Sequence, residues 1–357
     1  MLLVTSMFST YKPEDVTILL KDISGMVEPL PTKDREKYIQ SGVHYSEMLP
    51  LEYEPSPAYL DAYKRAVELY SLQTAQAVAT VAGKIRAEKA ESVVLVSLAR
   101  AGTPIGILLK HYMEKTFGLE VPHYTISIIR GKGIDKNAMS TILGKYSPKA
   151  IQFVDGWTGK GAIQNQLNEA MRDFSDVDPS LAVLSDPAHV AGKSGTHNDF
   201  LIASSLLNST VSGLLSRTFY RSDIIGPVDY HGAAYYSDLV DKDLTYHFIS
   251  NVEKHFDSVQ WKQEVERDNK FSSGITEVWE IAEKYSIDDL NLIKPSIGEA
   301  TRVLLRRMPW KMLVHSLDDH EYLGHLYQLA SEKGVTVEEY PLQNYRACGI
   351  IKKMADT

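Results

Sequence analysis

A short segment near the middle of the chain combines an acidic residue with a glycine-rich turn. An apolar run ends at Asp155, and the turn after it contains Gly156, Thr158, Gly159, Lys160, Gly161 and Ala162. A helix that starts behind such a turn presents backbone N–H groups and partial positive charge, so the segment predicts a phosphate site. The spacing matches neither the P-loop nor the dinucleotide-binding motif. A tight turn without a ligand is the alternative.

Strand and helix patterns alternate around this turn. Apolar, β-branched runs predict strands over 92–97, 123–129, 151–155 and 181–186. Helical patterns separate them, and Ser56-Pro57 is a typical start for the long helix predicted to end near Lys89. This alternation predicts an α/β domain with a parallel sheet and helices on its faces.

Composition limits the classes of protein. The 357 residues are 44% hydrophobic and 24% charged, which suits globular domains with sizeable cores. No apolar run is long enough to span a bilayer and no secretory signal is evident, so we expect a cytoplasmic protein without membrane contact. The net charge of -8 argues against general attachment to nucleic acid, although a local basic face is compatible with it. The one cysteine, Cys348, excludes an internal disulfide.

The segment IQFVDGWTGKGA (151–162) resembles the phosphoribosyl-pyrophosphate loop of type I phosphoribosyltransferases. That family motif is an apolar strand, two acids and a Thr/Gly-rich turn that enters a helix. Here Asp155 keeps the first acid, and Gly156 stands in the place of the second. The resemblance implies that Asp155 holds ribose hydroxyls and that the turn 158–162 cradles the 5′-phosphate.

Two further segments match the order of loops in the same family. LVSLARAGTPIG (95–106) looks like the pyrophosphate loop, where Arg100 offers a planar set of donors and Ala101 and Gly102 allow close backbone contact. IIRGKGIDKNAM (128–139) occupies the place of the mobile catalytic loop. Its Arg130 and Lys132 would neutralise leaving pyrophosphate. A solvated surface loop is the alternative for the second segment.

Two later segments complete the predicted site. SDPAHVAG (185–192) ends the fourth strand, and Asp186 would orient Mg²⁺-bound water there; a turn cap is its structural alternative. The stretch 196–221 is rich in Ser, Thr and Asn beside a predicted strand. We expect it to help form the acceptor pocket, with a polar hairpin as the alternative.

A closer resemblance covers nearly the whole chain, including 42–56 and 196–221. It is to the phosphoribosyltransferase-like proteins encoded in tellurite-resistance-type stress clusters, a family sometimes labelled cysteine proteases. The resemblance implies a fold like that of the type I phosphoribosyltransferases and the synthesis or processing of a nucleoside-like metabolite in a stress response.

The C-terminal segment resembles the pelota-like RNA-binding domain. In KPSIGEATRVLLRR (294–307), Ser296 and Glu299 have capping-box spacing, and a local basic cluster surrounds this helix start. The predicted RNA contacts are Glu299, Arg302, Arg306 and Lys311. An ordinary solvated helix is the alternative. We therefore predict a phosphoribosyltransferase-like domain over 1–240, a helical connector over 241–290 and a small α/β RNA-binding domain over 291–357.

Three functional hypotheses follow. The first is an enzyme that uses Mg²⁺ and phosphoribosyl pyrophosphate to modify a base-like acceptor. The second is a non-catalytic RNA-binding regulator that senses a sugar phosphate. The third is a cysteine protease, for which Cys348 is the one candidate nucleophile, in a predicted strand where a buried structural thiol is expected. The acceptor, the RNA and the oligomeric state stay open at this point.

Overall fold

The chain folds into two sheets of different size with helices on their faces. The computed structural model describes residues 7–90, 92–261 and 273–353. The strands are β1 (Thr17–Ile18), β2 (Lys21–Asp22), β3 (Val94–Leu98), β4 (His123–Ile126), β5 (Ile128–Ile129), β6 (Gly133–Ile134), β7 (Ile151–Val154), β8 (Leu181–Ser185), β9 (Lys193–Thr196), β10 (Gly232–Ala233), β11 (Ile293–Pro295), β12 (Pro309–Val314), β13 (Thr336–Glu339) and β14 (Ala347–Ile351). The helices are α1 (Thr32–Gln40), α2 (Pro57–Lys89), α3 (Gly102–Phe117), α4 (Lys136–Leu143), α5 (Ala162–Ala170), α6 (Thr245–Glu253), α7 (Gly274–Lys284), α8 (Ile297–Arg306) and α9 (His320–Glu332).

The larger sheet has six strands in the order β1–β4–β3–β7–β8–β9, and all of its pairings are parallel. After β3 the chain adds β4 on one side and then β7 on the other. The order therefore reverses at β3, and in open α/β sheets ligands bind in the crevice outside the carboxyl ends of the strands at such a switch point. This confirms the predicted α/β class and directs attention to the loops after β3 and β7.

Both faces of the large sheet are covered, as the fully buried strands require. One core joins alternate residues of the strands to α2, α3 and α6, and the other joins the remaining strand residues to α4 and α5. The helix predicted from Ser56-Pro57 to Lys89 is confirmed as α2. Within the described ranges, no helix is both long enough and apolar enough to cross a membrane.

The smaller sheet has the order β11–β14–β12–β13, with α8 and α9 on one face and α7 on the other. It is the small C-terminal α/β unit predicted from the sequence. The predicted helix cap is also present, because the Ser296 hydroxyl accepts a hydrogen bond from the Glu299 N–H at 3.4 Å. Part of the predicted connector, residues 262–272, lies outside the described residues.

The structure differs from the sequence interpretation at three places. The predicted polar loop after β4 is instead a short hairpin, β5–β6, followed by α4. The polar stretch 196–221 contains 3₁₀ turns at 203–206 and 209–211, which differs from the hairpin named as its alternative interpretation. Strand β9 was not predicted, because its sequence Lys-Ser-Gly-Thr lacks the apolar pattern of a buried strand.

His111 joins α3 to two other parts of the large domain and makes its stability depend on pH. Its Nε2 lies 2.8 Å from Asp15 Oδ1, and its Nδ1 contacts Glu253 Oε1. Burial acts to lower the pKa of His111, but the two carboxylates outweigh burial and raise it above 6.5. The stabilisation is therefore full below pH about 6.5 and is lost as the pH rises through the folded-state pKa.

We expect the free energy of unfolding to fall by about 1 kcal/mol between pH 6 and pH 9 through this residue. Urea unfolding of wild type and of His111→Gln at both pH values measures the difference. Gln keeps one hydrogen bond but cannot be protonated, so the variant should lack this part of the pH dependence. Equal pH profiles for the two proteins would contradict the expectation.

Candidate functional site

The glycine loop, residues 155–161, connects β7 to α5 at the switch point. Its first half is held by protein contacts: the Thr158 N–H donates to Ser185 O at 3.0 Å, and the Thr158 hydroxyl donates to Asp186 Oδ1. The next four N–H groups donate to no acceptor within the described residues; they belong to Gly159, Lys160, Gly161 and Ala162. Successive unpaired N–H groups at a helix start are an arrangement that can bind an anion.

The loop after β3 offers a second set of backbone donors. The N–H groups of Arg100, Ala101 and Gly102 also donate to no described acceptor, and the Ala99–Arg100 peptide is cis. The two loops touch, because a Cβ added to Gly102 would lie 2.5 Å from Val154 O and 3.2 Å from Asp155 Cα. Glycine at 102 thus permits both predicted loops to meet at the switch point.

Asp155 is the acid between these two sets of donors. Its Oδ1 accepts the Gly156 N–H at 2.8 Å. Removal from water by the surrounding protein raises the pKa of Asp155 to about 7; the Gly156 N–H and Arg302 oppose this rise, and Glu299 adds to it. The carboxyl group therefore changes charge near neutral pH, where an ionised oxygen can accept a ribose hydroxyl.

The side chain of Arg100 turns toward other protein groups. Its guanidinium donates to Leu215 O at 2.7 Å, to Glu52 Oε1 at 2.9 Å and to Asn208 Oδ1 at 3.0 Å. The structure thus brings the Arg100 N–H to the crevice but places the guanidinium beside the segment 208–217. That segment is part of the stretch expected to form the acceptor pocket.

The hairpin β5–β6 carries Arg130 and Lys132 near α5. The Arg130 N–H donates to Tyr45 Oη at 2.9 Å, and the Arg130 guanidinium donates to Asn291 Oδ1 at 2.9 Å. Lys132 lies 3.4 Å from Glu47 Oε1. The hairpin is therefore docked on residues 44–47 and on the C-terminal part of the chain.

Asp186 holds the glycine loop in place through hydrogen bonds. It is fully buried, and its carboxylate accepts hydrogen bonds from the Thr158 hydroxyl and from the N–H groups of Val190 and Ala191. Among the described residues, no group of three or more His, Cys, Asp or Glu side chains is arranged to hold a metal ion.

The C-terminal domain lies directly on the glycine loop. Tyr345 Oη donates to Gly159 O at 2.6 Å, and the Lys160 ammonium donates to the carbonyls of Leu290 and Ile293. A Cβ added to Gly159 would lie 3.5 Å from Glu299 Cγ. Lys160 thus holds the two domains together, and its ammonium does not point along the four unpaired N–H groups.

The predicted RNA contacts separate into two places. Glu299, Arg302 and Arg306 lie on α8 and face the large domain, and the Arg302 guanidinium is 5.7 Å from the ring centroid of Trp157 in the glycine loop. Lys311 lies on β12, where it pairs with Glu338. The helix that resembles the RNA-reading helix is therefore turned toward the candidate phosphate site.

Asp199 fixes this arrangement and was not predicted. Its carboxylate accepts the Ile297 N–H at 3.0 Å, at the start of α8, and the Arg346 N–H at 2.9 Å. It caps a helix that begins 98 residues later in the chain. Sequence offers one weak signal, an acid within the polar stretch 196–221, and nothing that links it to α8.

Comparison with known proteins gives the family. Residues 9–253 match the family described as "Tellurite-like stress resistance cysteine protease StiP", and residues 272–353 match the "PELOTA RNA binding domain". The chain belongs to the StiP family. A relative from Acinetobacter baylyi, named "Cysteine protease StiP", is 35% identical over 97% of this chain and 94% of its own.

Solved phosphoribosyltransferases overlap with part of the chain. A hypoxanthine-guanine phosphoribosyltransferase from Bacillus anthracis covers 35% of this chain and 76% of its own at 16% identity and a TM-score of 0.26. A hypoxanthine phosphoribosyltransferase from Trypanosoma cruzi covers 56% of this chain and 100% of its own at 14% identity and a TM-score of 0.25.

The family description names a cysteine protease, yet the one cysteine of this chain lies outside the matched residues 9–253. Cys348 is fully buried in β14. Burial raises the pKa of its thiol to about 12, while Lys160 acts in the opposite direction. Such a thiol is protonated at neutral pH and is out of reach of a substrate, whereas a cysteine nucleophile needs a thiolate and access.

We expect Cys348 to resist alkylation by iodoacetamide at pH 7.5 in the native protein and to react fully in urea, because unfolding exposes it. Mass spectrometry measures the modified fraction. Cys348→Ala should keep the ligand binding of wild type and lose about 1 kcal/mol of stability from the missing sulfur. Fast labelling of the native protein, together with loss of proteolytic activity in Cys348→Ala, would support the cysteine protease hypothesis.

Proposed function

We propose that this protein is a phosphoribosyltransferase that binds phosphoribosyl pyrophosphate with Mg²⁺ and transfers ribose 5-phosphate to an acceptor. One observation carries the proposal: seven backbone N–H groups, from residues 159–162 and 100–102, have no acceptor among the described residues, and they belong to two loops that touch at the switch point of the sheet. The first set suits the 5′-phosphate and the second suits the pyrophosphate. Asp155, at the start of the glycine loop and against Gly102 of the second set, would accept the ribose hydroxyls of the same molecule.

The reaction would break the bond between the anomeric carbon and pyrophosphate while the acceptor forms a bond to that carbon. Charge develops on the pyrophosphate and on the ribose ring, so oriented N–H groups and cations would stabilise the transition state. Mg²⁺ enters with the pyrophosphate as part of the substrate. Arg130 and Lys132, on the β5–β6 hairpin, would add positive charge near the leaving pyrophosphate.

A non-catalytic RNA-binding regulator is the second candidate. The match of residues 272–353 to the pelota family supports it, as does Gly156 in the place of the second acid. In this case the same crevice would sense a sugar phosphate without turnover. Binding of the sugar phosphate without pyrophosphate release, together with salt-sensitive RNA retention, would favour this candidate.

Isothermal titration separates the outcomes. Mg²⁺–phosphoribosyl pyrophosphate is titrated into wild type, into Asp155→Asn and into Asp223→Asn, an exposed acid that pairs with Arg221 at a distance from the glycine loop. We expect heat from wild type and from Asp223→Asn, and a marked loss in Asp155→Asn. Absence of heat from wild type at millimolar ligand would refute the proposal.

A further inference from the structure

Five arginines from four elements converge where the two domains meet. We call this group the arginine seam; it consists of Arg35, Arg100, Arg217, Arg302 and Arg306. Arg35 lies on α1, Arg302 and Arg306 lie one turn apart on α8, and the other two lie in loops of the large domain. All five side chains are half-buried. Only one of them, Arg100, belongs to a loop that the phosphoribosyl-pyrophosphate motifs explain.

The seam has more donors than acceptors. Glu52 is its closest acid, and it is 96% covered and already paired with Arg100. The Arg217 guanidinium lies over the Tyr45 ring at 4.5 Å from the centroid, a contact that leaves the edge of the fork free. The buried Nε of Arg35 and the buried Nη2 of Arg306 have no hydrogen-bond partner among the described residues. Unpaired buried guanidinium atoms are costly unless something else satisfies them.

The arginines also repel one another. Burial, and after it the charges of Arg35 and Arg100, lowers the pKa of Arg217 to about 9. Burial, and after it the charges of Arg302 and Arg100, lowers the pKa of Arg306 to about 9. Three glutamates, Glu36, Glu52 and Glu299, act against the five guanidinium groups; Glu299 lies 3.5 Å from Arg302, and Asp155 also interacts with Arg302. A cluster of this kind lacks the full counter-charge that a structural ion-pair network would have, and it suits an anionic ligand.

We propose that the arginine seam binds a phosphate group of a second ligand, separate from the 5′-phosphate that the glycine loop would hold. Guanidinium forks match phosphate oxygens in a bidentate way, and the seam offers several forks in one half-buried place. Its position beside residues 208–217 makes this ligand the acceptor, and that role rests on the proposed function. The acceptor would then be a phosphate-bearing molecule of mononucleotide size, rather than a free base.

Calorimetry of two probes tests the seam apart from the glycine loop. Ribose 5-phosphate probes the glycine loop. Inorganic pyrophosphate probes the seam, and it is titrated in the presence of saturating Mg²⁺–phosphoribosyl pyrophosphate so that the loop 100–102 is already occupied. Both titrations use wild type, Arg217→Gln, Arg306→Gln and the control Arg86→Gln, an exposed arginine on α2. Each seam variant should weaken pyrophosphate binding at least tenfold and change ribose 5-phosphate binding less than twofold. Arg86→Gln should change neither. Asp155→Asn should weaken ribose 5-phosphate binding and spare pyrophosphate binding.

Stability gives a readout that does not depend on the choice of ligand. Since Arg306→Gln removes an uncompensated charge, it should raise the melting temperature of the free protein by about 2 °C or more. Pyrophosphate should stabilise wild type more than this variant. Unchanged pyrophosphate binding in both seam variants, or an equal loss for both probes, would overturn the proposal.

A third binding experiment determines the size of the ligand. At saturating ribose 5-phosphate, 5′-mononucleotides should bind wild type at least tenfold more tightly than the matching nucleosides. Binding of a 12-nucleotide RNA without binding of any mononucleotide would overturn the small-ligand proposal. If ribose 5-phosphate fails to bind while pyrophosphate binds through the seam, the phosphoribosyltransferase proposal is wrong, and the proposal that the arginine seam binds phosphate is still supported.

Discussion

Replacing Asp199 with alanine is expected to release the C-terminal domain from the glycine loop. The carboxylate of Asp199 accepts two backbone N–H groups of that domain; the bond from Ile297 is buried and the bond from Arg346 is partly buried. Their loss would leave two donors unsatisfied at a cost of about 3 kcal/mol. Urea unfolding measures the loss, and hydrogen exchange should show that the Ile297 and Arg346 amides lose protection.

Asp199→Asn is an intermediate variant. Its amide oxygen can accept one of the two N–H groups, but its NH₂ group is a donor and cannot accept the other. We expect a loss between that of alanine and that of wild type. Asp223→Ala serves as the control, since Asp223 is an exposed acid that pairs only locally with Arg221. Unfolding of Asp199→Ala at the wild-type urea concentration would contradict the interface described here.

The second large effect concerns Asp155 and the pH dependence of ligand binding. Burial raises the pKa of this carboxyl to about 7, so the group is mainly protonated at pH 6 and mainly ionised at pH 8. The ionised form accepts ribose hydroxyls, and the affinity for phosphoribosyl pyrophosphate should rise over this range. Asp155→Asn should bind about tenfold more weakly at pH 8, which corresponds to a charge-assisted hydrogen bond.

The variant also isolates the titration of Asp155 from that of the ligand. Phosphoribosyl pyrophosphate changes its own charge near neutral pH, and this part of the profile is common to both proteins. The ratio of the two affinities should therefore increase from pH 6 to pH 8. A constant ratio across this range would show that Asp155 does not meet the ligand.

The elements that carry the candidate site could be predicted from local sequence. The buried strands β3, β7 and β8 are short apolar runs, and the glycines of residues 156–161 mark the turn that follows β7. Parallel pairing then places the ends of β3 and β7 side by side. Local patterns fail for β9, because its four residues are polar or small and carry no apolar signal. The strand is buried by its neighbour in the sheet and by α2, which packs against Gly195.

The arrangement of the two domains could not be predicted in this way. The contact between Tyr345 and Gly159 joins residues 186 positions apart, and the contact between Asp199 and Ile297 joins residues 98 apart. Hydrophobic periodicity gives no register for such contacts. The same reason hides the arginine seam, because Arg35, Arg217 and Arg306 each look like an ordinary surface charge within their own segment.

The most direct test of the central claim is the position of the 5′-phosphate in a crystal structure of the protein with Mg²⁺ and phosphoribosyl pyrophosphate. The account predicts phosphate oxygens about 2.7–3.2 Å from the backbone nitrogens of residues 159–162, with the ribose hydroxyls at Asp155. A ligand bound elsewhere, with these four N–H groups still without an acceptor, would contradict it.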